Sequence, residues 1–109
     1  MEKIIEKAAE LTAEFVNCDA YKEFLRLNGE LSGQPEMMNK IETFYKASES
    51  LELRRARGEH ISFDEERLLS NQYTEIWLNE TGRDYMNTKN GLLKTLDDVF
   101  KMIEADCGV

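Results

Sequence analysis

Two long stretches without a helix breaker constrain the fold of this chain more than any other feature. One runs from Pro35 to Arg57 and the other from Asp84 to about Asp106. In both, apolar side chains recur with helical spacing, which places them on one face of an α-helix. At about 1.5 Å per residue each helix spans roughly 35 Å, so we expect the two to pack side by side. The pattern falls on Met37, Ile41, Phe44 and Leu51 in the first stretch, with Ser48 as one polar interruption, and on Tyr85, Leu92, Leu96, Val99 and Ile103 in the second.

Shorter helical segments complete the chain. Residues 3–16 and 20–31 each carry one apolar stripe, and a capping box from Ser62 to Glu65 begins a fourth segment near Phe63. No stretch alternates apolar and polar residues with the period of two that a strand shows. The sequence therefore predicts an all-α protein, an elongated antiparallel helical bundle built on two long helices with shorter N-terminal helices, forming a single domain over residues 1–109. We expect five helices, or four with a kink, with breaks near residues 17–19, 32–35, 58–62 and 80–83. Around Gly82 a kink between two roughly collinear helices would give the same pattern as a turn.

The apolar stripe of the last helix is wider than two neighbouring helices can cover. We expect its seam to be buried and part of the neighbouring stripe to lie in a subunit contact, because exposed apolar seams of this kind find a partner. The sequence therefore predicts a homo-oligomer, with a dimer as the simplest form. The seam consists of Leu92, Leu96, Val99 and Ile103, and Leu93 and Phe100 widen it.

The charge of the chain argues against nucleic acid as a partner. The net charge of −8 repels a phosphate backbone. The one basic run, Arg54, Arg55 and Arg57, lies at a helix carboxyl terminus, where cations complement the helix dipole. The same guanidinium groups are candidates for docking an acidic protein surface through paired hydrogen bonds. We therefore expect protein partners and no direct contact with nucleic acid.

Two cysteines and one histidine limit the chemistry that the chain can perform. Cys18 and Cys107 do not make a disulfide framework, no signal peptide begins the chain, and no apolar run is long enough to span a bilayer. We expect a cytoplasmic protein with reduced thiols and no membrane contact. His60 has no glutamate three residues before it, which excludes the di-iron pattern of helical bundles. No nucleophile–base pair or phosphate loop is present, so an enzyme is not expected.

Cys107 leaves two alternatives open. An iron–sulfur cluster or structural zinc takes four ligands, so one thiolate makes a site within one chain improbable, and no cofactor or metal is expected. A thiol on a frayed terminus is the simpler interpretation. Ligation shared between chains is still compatible with the sequence, because each tail could deliver one thiolate.

The order of these segments resembles the YlbF/YmcA family of small helical bacterial proteins, over nearly the whole chain. "KAAELTAEF" and "CDAYKEFLRLNGEL" resemble the family's Ala-rich helix, polar cap and Tyr-containing helix. "GQPEMMNKIETFYKA" is similar to the opening of its long third helix, with Gln34 in place of an acidic residue. "SFDEERLLSNQYTEIWLNE" and "NETGRDYMNTKNGLLKTLDDVFKMI" resemble its last two helices. In the final segment Glu80 replaces the family's proline and Met86 its leucine.

The resemblance implies an interaction protein and not an enzyme. Family members regulate competence, sporulation and biofilm formation, within a small complex linked to an endoribonuclease that processes messenger RNA. Some are associated with iron–sulfur clusters held by cysteines, including cysteines near the carboxyl terminus. Two hypotheses follow: a cytoplasmic helical adaptor that presents helix faces to partner proteins, and a metal or iron–sulfur sensor that uses Cys107 across a subunit interface. The cysteine-richer tail of such sensors is absent here.

Overall fold

Five α-helices and no strand make up residues 1–108, the part of the chain that the structure, a computed structural model, describes. This confirms the predicted all-α helical fold. The described residues end one short of the predicted domain, since Val109 lies outside them. The helices are α1 (Glu2–Asn17), α2 (Asp19–Ser32), α3 (Pro35–Ala56), α4 (Phe63–Trp77) and α5 (Glu80–Cys107).

Contacts between helices group the chain into two compact units. Among the described residues, unit 1 contains residues 1–28 and 85–108, and unit 2 contains residues 29–84. Both α2 and α5 contribute residues to each unit. That residues 1–109 form one domain remains a prediction.

Unit 2 is built on the antiparallel pair of α3 and α4. Lys40 pairs with Glu75 at 3.6 Å near one end of the pair, and Arg54 pairs with Glu65 at 3.0 Å near the other. Between them the Phe44 and Tyr73 rings lie 5.6 Å apart. The side chains at the centre of this unit are buried because α3 and α4 turn their apolar stripes toward each other. The buried hydrophobic residues of unit 2 are Leu31, Ile41, Leu51 and Ile76.

The turn between α3 and α4 follows the sequence signals closely. Gly58 adopts a positive φ of 79°, a left-handed conformation that costs glycine little. Ser62 then caps α4: its hydroxyl accepts from the Glu65 backbone N–H at 3.2 Å, and the Glu65 carboxylate accepts from the Ser62 N–H at 3.1 Å. The capping box and the start of α4 at Phe63 are confirmed.

Glu65 joins this cap to α3. Arg54 donates two hydrogen bonds to its carboxylate, and these bonds, with that from the Ser62 backbone, hold the pKa of Glu65 below its ordinary value of 4.5. Because the folded-state pKa is lowered, the ionised carboxylate stabilises the fold above about pH 4.5, and this contribution is lost as the pH falls through the folded-state pKa.

We predict that Glu65→Gln lowers the free energy of unfolding at pH 7 and makes its decline below about pH 4.5 shallower than in the unmodified protein. Urea denaturation at a series of pH values measures both effects. The control is Glu75→Gln, which removes an exposed ion pair at 3.6 Å and should change little. An unchanged acid profile in Glu65→Gln would contradict the assignment.

The start of α5 differs from the prediction. We expected a break near residues 80–83 around Gly82, but α5 begins at Glu80 and includes Gly82. The reason is Asn79, whose side-chain oxygen accepts from the Gly82 backbone N–H at 2.8 Å and so caps the helix. The Asn79 amide also donates to Gln34 at 3.2 Å, at the start of α3. The interruption of the pattern is therefore an Asn cap and not a glycine break.

Gly82 is required here for space. A Cβ at this position would lie 3.1 Å from the Ile76 carbonyl oxygen and 3.2 Å from both the Ile76 side chain and the Met37 sulfur. Gly82→Ala should lower the free energy of unfolding by about 1 kcal/mol, because overpacking costs about 1–3 kcal/mol and alanine's better helix propensity returns about 1. Thermal denaturation with Gly29→Ala as control checks this: Gly29 has nothing within 4 Å of its Cβ, so that variant should gain stability. Equal shifts in both variants would be inconsistent with the close packing.

Unit 1 is formed by α1, the amino-terminal part of α2 and α5 from Tyr85 onward. A row of aromatic rings joins the three. Phe15 lies 5.8 Å from Tyr21, Tyr21 lies 6.2 Å from Phe24, and Phe24 stacks on Tyr85 at 5.2 Å. The buried hydrophobic residues of this unit are Leu27, Tyr85, Met86 and Leu92. Helix α1 contains no buried residue, and Phe15 is half-buried.

Candidate protein-binding face

The six apolar residues predicted on the last helix separate into two sets. Leu92 is 7% exposed and Val99 is half-buried, and both line a groove within unit 1. The other four form what we call the outer seam of α5: Leu93, Leu96, Phe100 and Ile103, which are between 46% and 60% exposed. Within the described chain, the burial expected for Leu96 and Ile103 is therefore wrong. That these residues form a subunit or partner interface remains a prediction.

The outer seam has the spacing of a helix-pairing surface. Its residues recur at intervals of three and four, and Lys89 and Cys107 extend the same row at either end. A period of 3.5 residues keeps such a row facing one partner helix over several turns. The predicted residues therefore do form one apolar stripe on α5. The other helices of the chain cover only the side of this stripe that carries Leu92.

The groove beside the outer seam has a volume of about 470 Å³. Leu11 and Phe15 of α1 form one wall, while α5 forms the other with Leu96 among its residues. Ala20 of α2 also lines the groove, and its small side chain takes up little of the space. Most of the accessible wall of the groove is apolar, and the polar residues Asn87, Thr88 and Thr95 of α5 also line it.

Two carboxylates and one thiol lie at this groove. Glu14 and Glu23 line it, and a hydrogen bond from Arg26 holds the pKa of the Glu23 carboxyl below its ordinary value. The Glu23 carboxyl is therefore negatively charged at neutral pH. Cys18, the residue between α1 and α2, is half-buried and also lines the groove. The sequence placed Cys18 correctly at this junction but gave no signal for the groove.

The apolar surface of α1 extends the candidate face beyond the predicted residues. Ile4 and Ile5 are largely exposed, and Leu11 and Val16 are partly exposed. Sequence analysis assigned this stripe to a helix face without assigning it a partner. The signal that could have found it was present, because Ile4, Ala8, Leu11 and Phe15 recur with helical spacing.

The predicted acidic-partner docking residues lie in unit 2 and are largely engaged within the chain. Arg54 pairs with Glu65 at 3.0 Å and with Glu59 at 3.4 Å, and Arg55 pairs with Glu66 at 2.7 Å. Arg57 is exposed at the carboxyl cap of α3. A partner carboxylate must compete with these internal pairs for Arg54 and Arg55. Docking through the three arginines remains a prediction.

Cys107 is the last residue of α5 and not part of a tail beyond the helix. It is an exposed free thiol, as Cys18 is a half-buried one. Residues 1–108 bring together no group of three or more His, Cys, Asp or Glu side chains suited to a metal ion. The side chains of one chain therefore do not fit the four-ligand requirement of an iron–sulfur cluster or structural zinc.

No helix in the described part of the chain has the length and apolar character needed to cross a membrane. The structure thus defines a small all-α protein with a mainly apolar groove between α1 and α5, and α5 carries an exposed helix-pairing row.

A comparison with protein families identifies the chain more closely. It belongs to the YlbF/YmcA family, whose model, described as control of competence regulator ComK, matches residues 4–106. The predicted family is confirmed, and its description supports a regulatory role in competence. No curated protein and no solved structure shows a significant match.

Proposed function

We propose that this chain is a non-enzymatic cytoplasmic regulator of competence that acts as an adaptor through protein–protein contacts. The observation that carries the proposal is the apolar face of unit 1, formed by the outer seam of α5, the exposed stripe of α1 and the groove between them. A face of this size on a protein with a net charge of −8 fits a protein surface better than a nucleic acid.

Further observations support separate parts of the proposal. The wall of the groove is mainly apolar, which fits contact with the apolar face of a helix. The two free thiols fit a reducing compartment, so we place the protein in the cytoplasm. Family membership supplies the regulated process, competence.

The proposal is tested by complementation in the native host. A strain that lacks the gene is supplied with the unmodified protein, Leu96→Asp or Leu68→Asp, and transformation frequency is measured at protein levels matched by immunoblot. Leu68 is an exposed leucine on α4 of unit 2, so its variant is the matched control. We expect Leu68→Asp to restore transformation and Leu96→Asp to fail. Full restoration by Leu96→Asp at equal abundance would overturn the proposal. Sporulation and biofilm formation are scored in the same strains, because the family resemblance extends to them.

The alternative hypothesis of a metal or iron–sulfur sensor is tested at Cys107. We predict that Cys107→Ser leaves helix content, oligomeric mass and competence unchanged, because the thiol is exposed and has no ligand group around it in residues 1–108. Iron, zinc and acid-labile sulfide are measured after anaerobic purification, with Cys18→Ser as the comparison. We expect no stoichiometric metal in any of the three proteins. Metal that is present in the unmodified protein and lost in Cys107→Ser would promote the sensor hypothesis.

A further inference from the structure

The outer seam of α5 has the dimensions of a helix-pairing surface that needs a second helix. The four apolar side chains of the outer seam, Leu93, Leu96, Phe100 and Ile103, are between 46% and 60% exposed. With Lys89 and Cys107 the row runs over roughly five helical turns. A row of this length on one helix is the surface that a partner helix covers when two helices pair.

The charged residues along the seam indicate which helix fits it and whether that helix runs parallel or antiparallel to α5. Lys89 lies seven residues before Leu96 and Glu104 lies eight residues after it, both half-buried beside the seam. The Lys89 ammonium is placed over the Tyr85 ring at 5.9 Å. If two copies of α5 pair in parallel, Lys89 faces Lys89 and Glu104 faces Glu104. If they pair antiparallel and cross at Leu96, Lys89 faces Glu104 at both ends of the contact. Asp97 then approaches its own copy near the crossing point, but Lys101 of the same helix pairs with it at 2.8 Å. Charge complementarity at the two ends therefore favours the antiparallel arrangement.

We propose that the outer seam docks a second copy of this chain, with the two α5 helices antiparallel and crossing at Leu96. In this arrangement Leu96 packs on Leu96 of the second copy, and Leu93 packs on Phe100 at both symmetry-related positions. The contact is isologous and closes on itself, as a two-fold dimer requires. This inference rests on the proposed function, since it names the partner of the same face.

The antiparallel arrangement has a consequence for Cys107. At about 1.5 Å per residue the thiol lies about 16 Å from Leu96 along α5, so the two Cys107 residues of a dimer are about 33 Å apart. They cannot ligate one metal centre or form a disulfide within that dimer. A parallel dimer places them side by side.

Cysteine pairing distinguishes the two directions. In a Cys18→Ser, Cys107→Ser background, Leu93→Cys and Phe100→Cys are expressed separately and together, then oxidised mildly and examined on non-reducing gels. The antiparallel dimer brings position 93 beside position 100 of the other copy, while like positions are about 10 Å apart, too far for a disulfide. We expect the co-expressed pair to give at least about tenfold more cross-linked dimer than either variant alone.

Cross-linking of each variant alone to at least the same extent as the co-expressed pair would overturn the antiparallel arrangement. No cross-link in any sample, with helix content retained, would overturn the second copy as partner while leaving the complementation result to judge the adaptor proposal. A further variant, Cys18→Ser alone, leaves the residues of the outer seam unchanged and keeps Cys107. It should form no disulfide-linked dimer under the same oxidant. A Cys107-linked dimer forming in proportion to the non-covalent dimer would contradict the inference.

Discussion

Leu96→Asp should convert the protein from a dimer to a monomer without unfolding it. Leu96 is 46% exposed in the single chain, so an aspartate there reaches water when the chain is alone. In the proposed dimer the same position lies at the crossing point, where two carboxylates are placed in an apolar contact and face each other. Burying unpaired charges costs several kcal/mol, which corresponds to a rise of at least about a hundredfold in the dissociation constant.

Sedimentation equilibrium measures that constant, and circular dichroism checks that helix content is retained. Leu68→Asp is the control, because Leu68 is 60% exposed on a helix of unit 2 and the substitution is the same. Equal dissociation constants for Leu96→Asp and the unmodified protein would remove the outer seam from the interface. Equal weakening by both variants would indicate a general effect of added negative charge.

Ile41→Ala should produce the largest loss of fold stability among single truncations of α3. Ile41 is 1% exposed at the centre of unit 2, where the surrounding side chains cannot follow the removed atoms completely. Truncation of a buried isoleucine to alanine costs about 2–5 kcal/mol through lost apolar contact and a residual cavity. Leu53→Ala on the same helix should cost less than about 1 kcal/mol, because Leu53 is 53% exposed.

Urea denaturation followed by circular dichroism measures both variants. The protein concentration is held constant, because any dimer contributes to apparent stability by mass action. A similar loss in the two variants would mean that α3 does not bury Ile41 as described.

The sequence predicted helices well because their signals are local. The Ser62–Glu65 capping box, Gly58 and the spacing of apolar residues each act within one or two turns, and the structure places the caps and helices where they indicated. The predicted start of α5 lies too far along the chain because the pattern indicates Gly82 as the helix breaker, whereas the Asn79 side chain caps the helix. An asparagine followed three residues later by glycine has more than one local solution, and contacts of Asn79 with Gln34 select between them.

The sequence predicts which apolar residues belong to the candidate face, but not which of them are buried by other helices of the chain. Periodicity shows that Leu92 and Leu96 share a stripe, but it does not show which neighbour covers each one. In the structure the first is buried within unit 1 and the second remains half-exposed. The groove was not predictable, because it depends on how α1, α2 and α5 meet. The basic run was visible in the sequence, but the carboxylates that engage Arg54 and Arg55 come from the following loop and helix.

We propose that this family member acts through a protein contact made by the apolar face of unit 1, first of all with a second copy of itself. Light scattering coupled to size-exclusion chromatography tests it most directly, on the unmodified protein at micromolar concentration. We expect a mass of about 25 kDa, twice the 12.7 kDa of one chain. A mass of 12.7 kDa over the whole concentration range would contradict it.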